Sequence, residues 1–191
     1  MSAGRLIALV GPSGAGKDSV MRGLAEAAPA LVPVRRAITR TPGLGGEDYD
    51  ALSEAEFTAR ADTGGFCLHW NAHGLRYGIP SAIPDDVRGG AQRMANLSRG
   101  VLGQAALIFP ALEVLHVTAT PETLARRLAG RGRETTQDIA RRLNRNTAPL
   151  PKGLRVHNIS NDGPIEATVD QALHLLGLAA PARLTQGRYT G

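Results

Sequence analysis

One turn constrains this chain more than any other stretch in it: Gly11-Pro12-Ser13-Gly14-Ala15-Gly16-Lys17-Asp18-Ser19. Ahead of it runs Leu6-Ile7-Ala8-Leu9-Val10, an apolar run the length of one buried strand. Behind it Val20, Met21, Leu24 and Ala28 recur at helical spacing. A strand, a glycine-rich loop, a helix and a lysine after the last glycine make a phosphate-binding loop. The glycines let backbone N–H groups turn inward around a phosphate, and the helix N-terminus adds its dipole. Residues Gly11, Pro12, Ser13, Gly14, Ala15, Gly16, Lys17, Asp18 and Ser19 are therefore the nucleotide-binding candidates, with Lys17 on the β- and γ-phosphates of ATP.

The loop departs from the usual pattern at one position. The residue after the lysine is ordinarily Ser or Thr, whose hydroxyl binds Mg²⁺. Here Asp18 stands there and Ser19 follows. A carboxylate is a hard ligand suited to Mg²⁺, directly or through water. The metal position could equally be shifted onto Ser19, or Asp18 could simply favour a helix start as a negative charge. Asp18 and Ser19 are the metal candidates.

The positive charge of the chain is written almost wholly as arginine. Of 22 basic residues only Lys17 and Lys152 are lysine, and 17 acidic residues leave a net charge of +5. Arginine suits bidentate phosphate contacts, so an anionic small substrate is expected. Aromatic residues are few and no basic tract interleaves them, which argues against nucleic acid. No apolar run would span a bilayer, no signal-peptide pattern follows Met1, and the single cysteine, Cys67, excludes an internal disulfide. A soluble cytoplasmic protein is expected, with Cys67 in the core and a homodimer left open.

The length of 191 residues fits one domain with a sizeable core. Strands are expected over 6–10, 32–38, 66–70, 92–97, 113–118 and 154–159. Helices are expected after the glycine-rich loop, ended by Pro29, and over 53–61, 84–90, 101–109, 121–129, 138–146 and 165–176. Ser53 with Glu56 three residues on is a capping box, and residues 71–80 read as a polar, glycine-containing turn. Strands alternating with helices give an α/β fold with a parallel sheet flanked by helices.

Arginine is concentrated twice more. Arg35, Arg36 and Arg40 lead toward Glu47, Asp48 and Tyr49; Arg126, Arg127, Arg131, Arg133, Arg141, Arg142 and Arg145 form the second cluster. A kinase for a phosphorylated acceptor needs both, one to hold the acceptor's phosphate and one to neutralise charge on the transferred group. Arg126 and Arg127 are adjacent, so at most one faces the same site.

Over almost its whole length the chain resembles the guanylate kinase family. Thr39-Arg40-Thr41-Pro42, Tyr49, Phe57, Phe66, Trp70 and Tyr77-Gly78 are similar to that family's acceptor lobe, and Arg131-Gly132-Arg133 with Arg142-Leu143 to its lid. The resemblance implies a P-loop kinase fold over 1–179, with an acceptor lobe at about 34–90, a mobile lid at about 130–142 and a loose tail over 180–191. It implies that Arg40, Tyr49 and Tyr77 hold the acceptor phosphate and that Arg131, Arg133 and Arg142 join Lys17 in catalysis.

The base-reading positions do not follow the family. Where it carries a Ser, a Glu, a second Ser or Thr and an Asp, this chain has Arg36, His69, Ile79 and Asn96. A guanine ring needs an acceptor carboxylate, which an Arg or an Ile cannot supply. The pattern is instead similar to a smaller subfamily, the ribose 1,5-bisphosphate phosphokinases, in Lys17-Asp18-Ser19, Ile38-Thr39-Arg40, Ala51-Leu52-Ser53-Glu54, His73-Gly74-Leu75-Arg76-Tyr77-Gly78, Asn96-Leu97-Ser98-Arg99 and Arg131-Gly132-Arg133-Glu134. That resemblance implies ATP and Mg²⁺, and a sugar bisphosphate held by Arg36, Arg40, Glu47, Tyr49, His69, Tyr77 and Asn96. The rivals are a guanylate or other nucleoside-monophosphate kinase, and a non-catalytic module that binds a phosphorylated partner through the Arg40 pocket.

Overall fold

The computed structural model describes residues 4–43, 47–129 and 149–178. The expected lid over 130–142, the helix over 138–146 and the tail over 180–191 lie outside the described residues.

Two sheets organise the chain. The larger runs β2(Leu31–Pro33)-β7(Gln92–Asn96)-β1(Arg5–Val10)-β8(Leu112–Thr118)-β9(Arg155–Ser160), and each neighbouring pair is parallel. The central strand β1 is covered on both faces, which is why its sequence is a continuous apolar run rather than an alternation. On one face Ile7 and Leu9 pack with Val20 and Leu24 of α1(Lys17–Ala27) and with Val169 and Leu173 of α6(Ile165–Leu175). On the other, Leu6, Ala8 and Val10 pack with Val87 of α3(Ile83–Arg88) and Leu102 and Ala105 of α4(Leu102–Ile108). The remaining core helix, α5(Pro121–Ala129), buries Leu124 and Leu128.

The smaller sheet runs β4(Tyr49–Ala51)-β3(Arg36–Ile38)-β6(Leu75–Pro80)-β5(Phe66–Ala72). α2(Glu54–Asp62) covers one of its faces through Phe57. The capping box is present: the Ser53 hydroxyl accepts from the Glu56 backbone N–H, and the Glu56 carboxylate accepts from the Ser53 N–H.

Two expectations are corrected, and one strand was not foreseen. Residues 32–38 are not one strand: β2 belongs to the larger sheet and β3 to the smaller, and Val34 between them still donates its N–H to Met94. Residues 71–80 are not a turn: β5 and β6 form a hairpin closed at His73 and Gly74, both at positive φ. Gly78, which had suggested a turn, lies inside β6, where a Cβ would stand 2.6 Å from the Phe66 ring. Its missing side chain makes room for packing, not for chain reversal. β4 was not expected at all, because three residues after a polar stretch give no periodicity to read.

Candidate active site

Parallel α/β sheets place their sites beyond the carboxyl ends of the strands. Here β1 runs out into the glycine-rich loop, β7 ends at Asn96, β8 at Thr118 and β9 just before Asn161. The loop approaches β8 so closely that a Cβ on Gly11 would stand 2.0 Å from the Val117 carbonyl oxygen. Gly16, at φ 84°, is the N-cap of α1, a left-handed conformation that an L side chain resists.

The loop is clamped from behind by a residue the sequence reading did not single out. Asn161 is 3% exposed. Its Nδ2 donates to the Ala15 carbonyl at 2.7 Å, its Oδ1 accepts from the Thr168 hydroxyl at 3.1 Å, and its backbone N–H donates to Thr118 at 2.8 Å. A Cβ on Gly16 would stand 2.4 Å from that Nδ2. Arg127 closes the clamp: its Nη2 donates to the Asn161 carbonyl at 2.8 Å and its Nη1 reaches the Gly14 carbonyl at 3.5 Å. Of the adjacent pair, Arg127 faces the loop and Arg126 is exposed. The readable signal was a buried-type polar residue directly after a core strand of a parallel sheet.

Lys17 folds over the loop and donates to the Gly11 carbonyl at 2.9 Å and the Pro12 carbonyl at 3.0 Å. Asp18 stands in the first turn of α1, where Asn96 Nδ2 donates to its Oδ1 at 2.8 Å. Ser13 and Ser19 are half-buried. Among the described residues no group of three or more His, Cys, Asp and Glu side chains is arranged to hold a metal ion. A hard carboxylate at the phosphate loop nevertheless fits Mg²⁺, which is commonly held by one or two carboxylates together with substrate phosphates.

Strand register gathers most of the residues expected to hold the acceptor. Arg36 pairs with Tyr49 across β3 and β4, Ile38 with Tyr77 across β3 and β6, and Trp70 with Tyr77 across β5 and β6. Arg36, Tyr49, Tyr77 and Trp70 therefore share one face of the smaller sheet. Tyr77 stacks on Trp70 with ring centroids 5.3 Å apart, and the Arg36 guanidinium lies over Tyr77 at 5.1 Å. The Arg40 guanidinium lies over Tyr49 at 5.6 Å, and the Tyr49 hydroxyl donates to the Thr41 carbonyl at 2.7 Å.

Arg36 is 6% exposed and fully engaged on two sides. Its Nε and Nη2 form a fork on the Glu47 carboxylate, and its Nη1 donates to the Asn96 carbonyl at 2.7 Å. Glu47 thus joins the site through Arg36, whereas Asp48 is exposed and lies 3.6 Å from Arg35. His69 is not brought here. It pairs with Gly78, so it projects from the opposite face, where its ring stands 6.3 Å from those of Phe57 and Phe66. Cys67 is half-buried, and burial pushes its thiol up to about 11, so it carries no thiolate chemistry near neutral pH. Arg131, Arg133 and Arg142 lie outside the described residues.

Near β8 a second arginine is held differently. Arg99 Nη2 meets His116 Nε2 at 2.8 Å, and His116 Nδ1 meets Asn158 Oδ1 at 2.9 Å. An arginine can only donate, so Nε2 is the acceptor in this contact.

A parallel sheet with a phosphate loop at its carboxyl edge, and beside it a lobe of arginines and tyrosines, defines a P-loop phosphotransferase of the guanylate kinase type. The solved guanylate kinase of Anaplasma phagocytophilum has the same fold: the TM-score is 0.70 at 21% identity, covering 92% of this chain and 86% of that one. No family model matches the chain. Curated relatives are more specific, and by them the chain belongs to the ribose 1,5-bisphosphate phosphokinase family. It is 54% identical over 170 residues to ribose 1,5-bisphosphate phosphokinase PhnN of Ruegeria sp. (strain TM1040), covering 88% of this chain and 90% of that protein. It is 44% identical over 176 residues to the PhnN of Brucella melitensis biotype 2, covering 91% and 92%. Among the described residues no helix is long and apolar enough to cross a membrane.

Proposed function

We propose that the chain transfers the γ-phosphoryl group of ATP to the 1-phosphate of ribose 1,5-bisphosphate, giving 5-phosphoribosyl 1-diphosphate and ADP. The observation that carries this reading is the buried Arg36–Glu47 fork in the acceptor lobe, on the face shared with Tyr49 and Tyr77. A guanine reader needs a carboxylate free to accept from the ring edge, whereas the Glu47 carboxylate is taken up by Arg36. A cation beside a carboxylate suits a phosphate with neighbouring sugar hydroxyls instead.

The triphosphate lies on the Gly11–Lys17 loop, and Lys17 exchanges its two carbonyl partners for phosphate oxygens. Arg40, Tyr49 and Tyr77 hold the acceptor phosphate, with Arg36, Glu47 and Asn96 completing the pocket. A 1-phosphate oxygen attacks the γ-phosphorus in line. The new P–O bond forms as the bond to the β–γ bridging oxygen breaks, and its electron pair leaves with ADP. The nucleophile is already anionic near neutral pH, so no general base is required. Alignment and charge neutralisation supply the catalysis.

Asp18, with Ser19 beside it, would hold Mg²⁺, which supplies charge neutralisation on the β- and γ-phosphates. The resemblance gives Arg131, Arg133 and Arg142 the role of neutralising charge on the transferred group. His69, on the far face of the lobe, is left out of this reading. Both substrates are soluble anions, and the chain acts on them in the cytoplasm without nucleic acid or membrane. The test is incubation with MgATP and ribose 1,5-bisphosphate, followed by phosphorus NMR. New diphosphate resonances coupled to the sugar support the reading; ATP that stays intact with the bisphosphate but is consumed when GMP replaces it overturns it.

A further inference from the structure

We propose that Asn96 is a positioning residue that couples the acceptor pocket to the Asp18 carboxylate, so that sugar bisphosphate and metal–nucleotide bind cooperatively. This rests on the functional reading above and goes beyond it, since neither substrate needs the other in that reading.

The coupling runs through a continuous chain of hydrogen bonds. Asn96 ends β7, the strand paired to β1, where it stands opposite Leu9 just ahead of the phosphate loop. From there its side chain reaches toward the nucleotide and its main chain toward the acceptor. Nδ2 donates to Asp18 Oδ1 at 2.8 Å, while the Asn96 carbonyl accepts from Arg36 Nη1 at 2.7 Å. Arg36 continues into the fork on Glu47 and lies over Tyr77. Asp18, Asn96, Arg36 and Glu47 thus link the first turn of α1 to the smaller sheet.

Two features make Asn96 more than a spacer. First, it is 5% exposed, and its buried Oδ1 accepts no hydrogen bond among the described residues. A buried acceptor left unpaired is costly, so a structure keeps one only where another demand prevails. The demand is visible: turning the amide over would satisfy nothing and would set an oxygen against the Asp18 carboxylate. Second, the bond fixes one oxygen of Asp18 and leaves the other for a metal. That is how outer partners orient a ligating carboxylate. Arg36 in turn holds the main chain of the residue that does the fixing. A phosphate that takes the remaining N–H groups of Arg36 pins the guanidinium, which firms its hold on Asn96, and hence on Asp18. By linkage, metal–nucleotide at Asp18 must change the affinity for the acceptor by the same factor.

The test is calorimetry on the full chain with Mg²⁺ and a non-hydrolysable ATP analogue, AMPPNP, with and without ribose 1,5-bisphosphate. In the native chain the sugar bisphosphate should tighten the analogue at least about fivefold. Asn96→Ala removes the donor to Asp18 and should reduce that factor to below about twofold. Arg36→Lys keeps the charge but cannot span Glu47 and the Asn96 carbonyl together, and should do the same; it carries the test if Asn96→Ala does not fold. A native chain that turns over the bisphosphate yet shows no such factor overturns the proposal, as does an Asn96→Ala protein that retains it. A chain that neither binds nor phosphorylates the bisphosphate overturns the functional reading instead.

Discussion

Replacing Asn161 by alanine should damage both stability and nucleotide binding, by an amount the structure allows to be estimated. The side chain is buried and makes two hydrogen bonds, to the Ala15 carbonyl at 2.7 Å and from the Thr168 hydroxyl at 3.1 Å. The Thr168 hydroxyl keeps weaker alternatives, the Ser160 carbonyl at 3.4 Å and the Pro164 carbonyl at 3.5 Å. The Ala15 carbonyl loses its side-chain partner in a region alanine cannot rehydrate well. A buried group left unpaired costs about 1–3 kcal/mol, so the two losses together come to about 2–3 kcal/mol. For a chain of this size that lowers Tm by roughly 4–12 °C. Because the released carbonyl belongs to the phosphate loop, ATP affinity should also fall, by about tenfold if some 1.4 kcal/mol of the loss is felt in the loop. Asn161→Asp, which turns a carboxylate oxygen toward the Ala15 carbonyl, should be worse than alanine. Thermal melts with and without ATP, and calorimetry of ATP binding, read both effects. A melt within about 2 °C of native, with ATP affinity unchanged, would refute the clamp.

Other perturbations test separate parts of the account. Lys17→Met should lower kcat by about a hundredfold or more with little change in the melt, measured by coupled ADP release; retained turnover would remove the loop from the chemistry. Gly78→Ala would put a Cβ 2.6 Å from the Phe66 ring and should cost about 1–3 kcal/mol by overpacking, with a raised KM for the acceptor because Tyr77 is the next residue. At the amino end of the larger sheet, burial disfavours ionisation of Glu113. Hydrogen bonds from Arg5 at 2.7 Å and His157 at 2.8 Å, with the charges of Arg5 and Arg155, outweigh this and hold its carboxyl below the ordinary 4.5. A folded-state value below the unfolded one stabilises above the unfolded value and is lost as pH falls through the folded one. The Tm gap between the native chain and Glu113→Gln should therefore be steady near neutral pH and shrink below about pH 4.5; a gap unchanged down to about pH 3 would contradict it.

What could be read from the sequence follows the range of the interactions involved. The phosphate loop was legible because glycines, lysine, strand and helix lie within one short stretch. The α2 capping box was legible for the same reason, being closed by Ser53 and Glu56 alone. The β5–β6 hairpin was not, because Gly78 answers to the Phe66 ring across the strand pair and not to a local turn. The split of residues 32–38 was hidden because the demand on Val34 comes from Met94 in another strand. In the site, Arg36, Tyr49 and Tyr77 share a face through register, which the sequence does not show, and the same register sends His69 to the other side. The Arg36–Glu47 fork and the Asn161 clamp join residues 11 and 146 positions apart, respectively, and no periodicity reports such contacts.

The central claim is that this acceptor lobe reads a sugar phosphate by charge where a guanylate kinase reads a base. The most direct measurement is competition in one vessel: GMP and ribose 1,5-bisphosphate at equal concentration with limiting MgATP, the products being separated by ion-exchange chromatography. The account predicts that phosphoryl transfer to the bisphosphate exceeds transfer to GMP by about a hundredfold or more, since an acceptor lacking its recognition groups is rejected by several powers of ten. GMP taking most of the phosphate would contradict it.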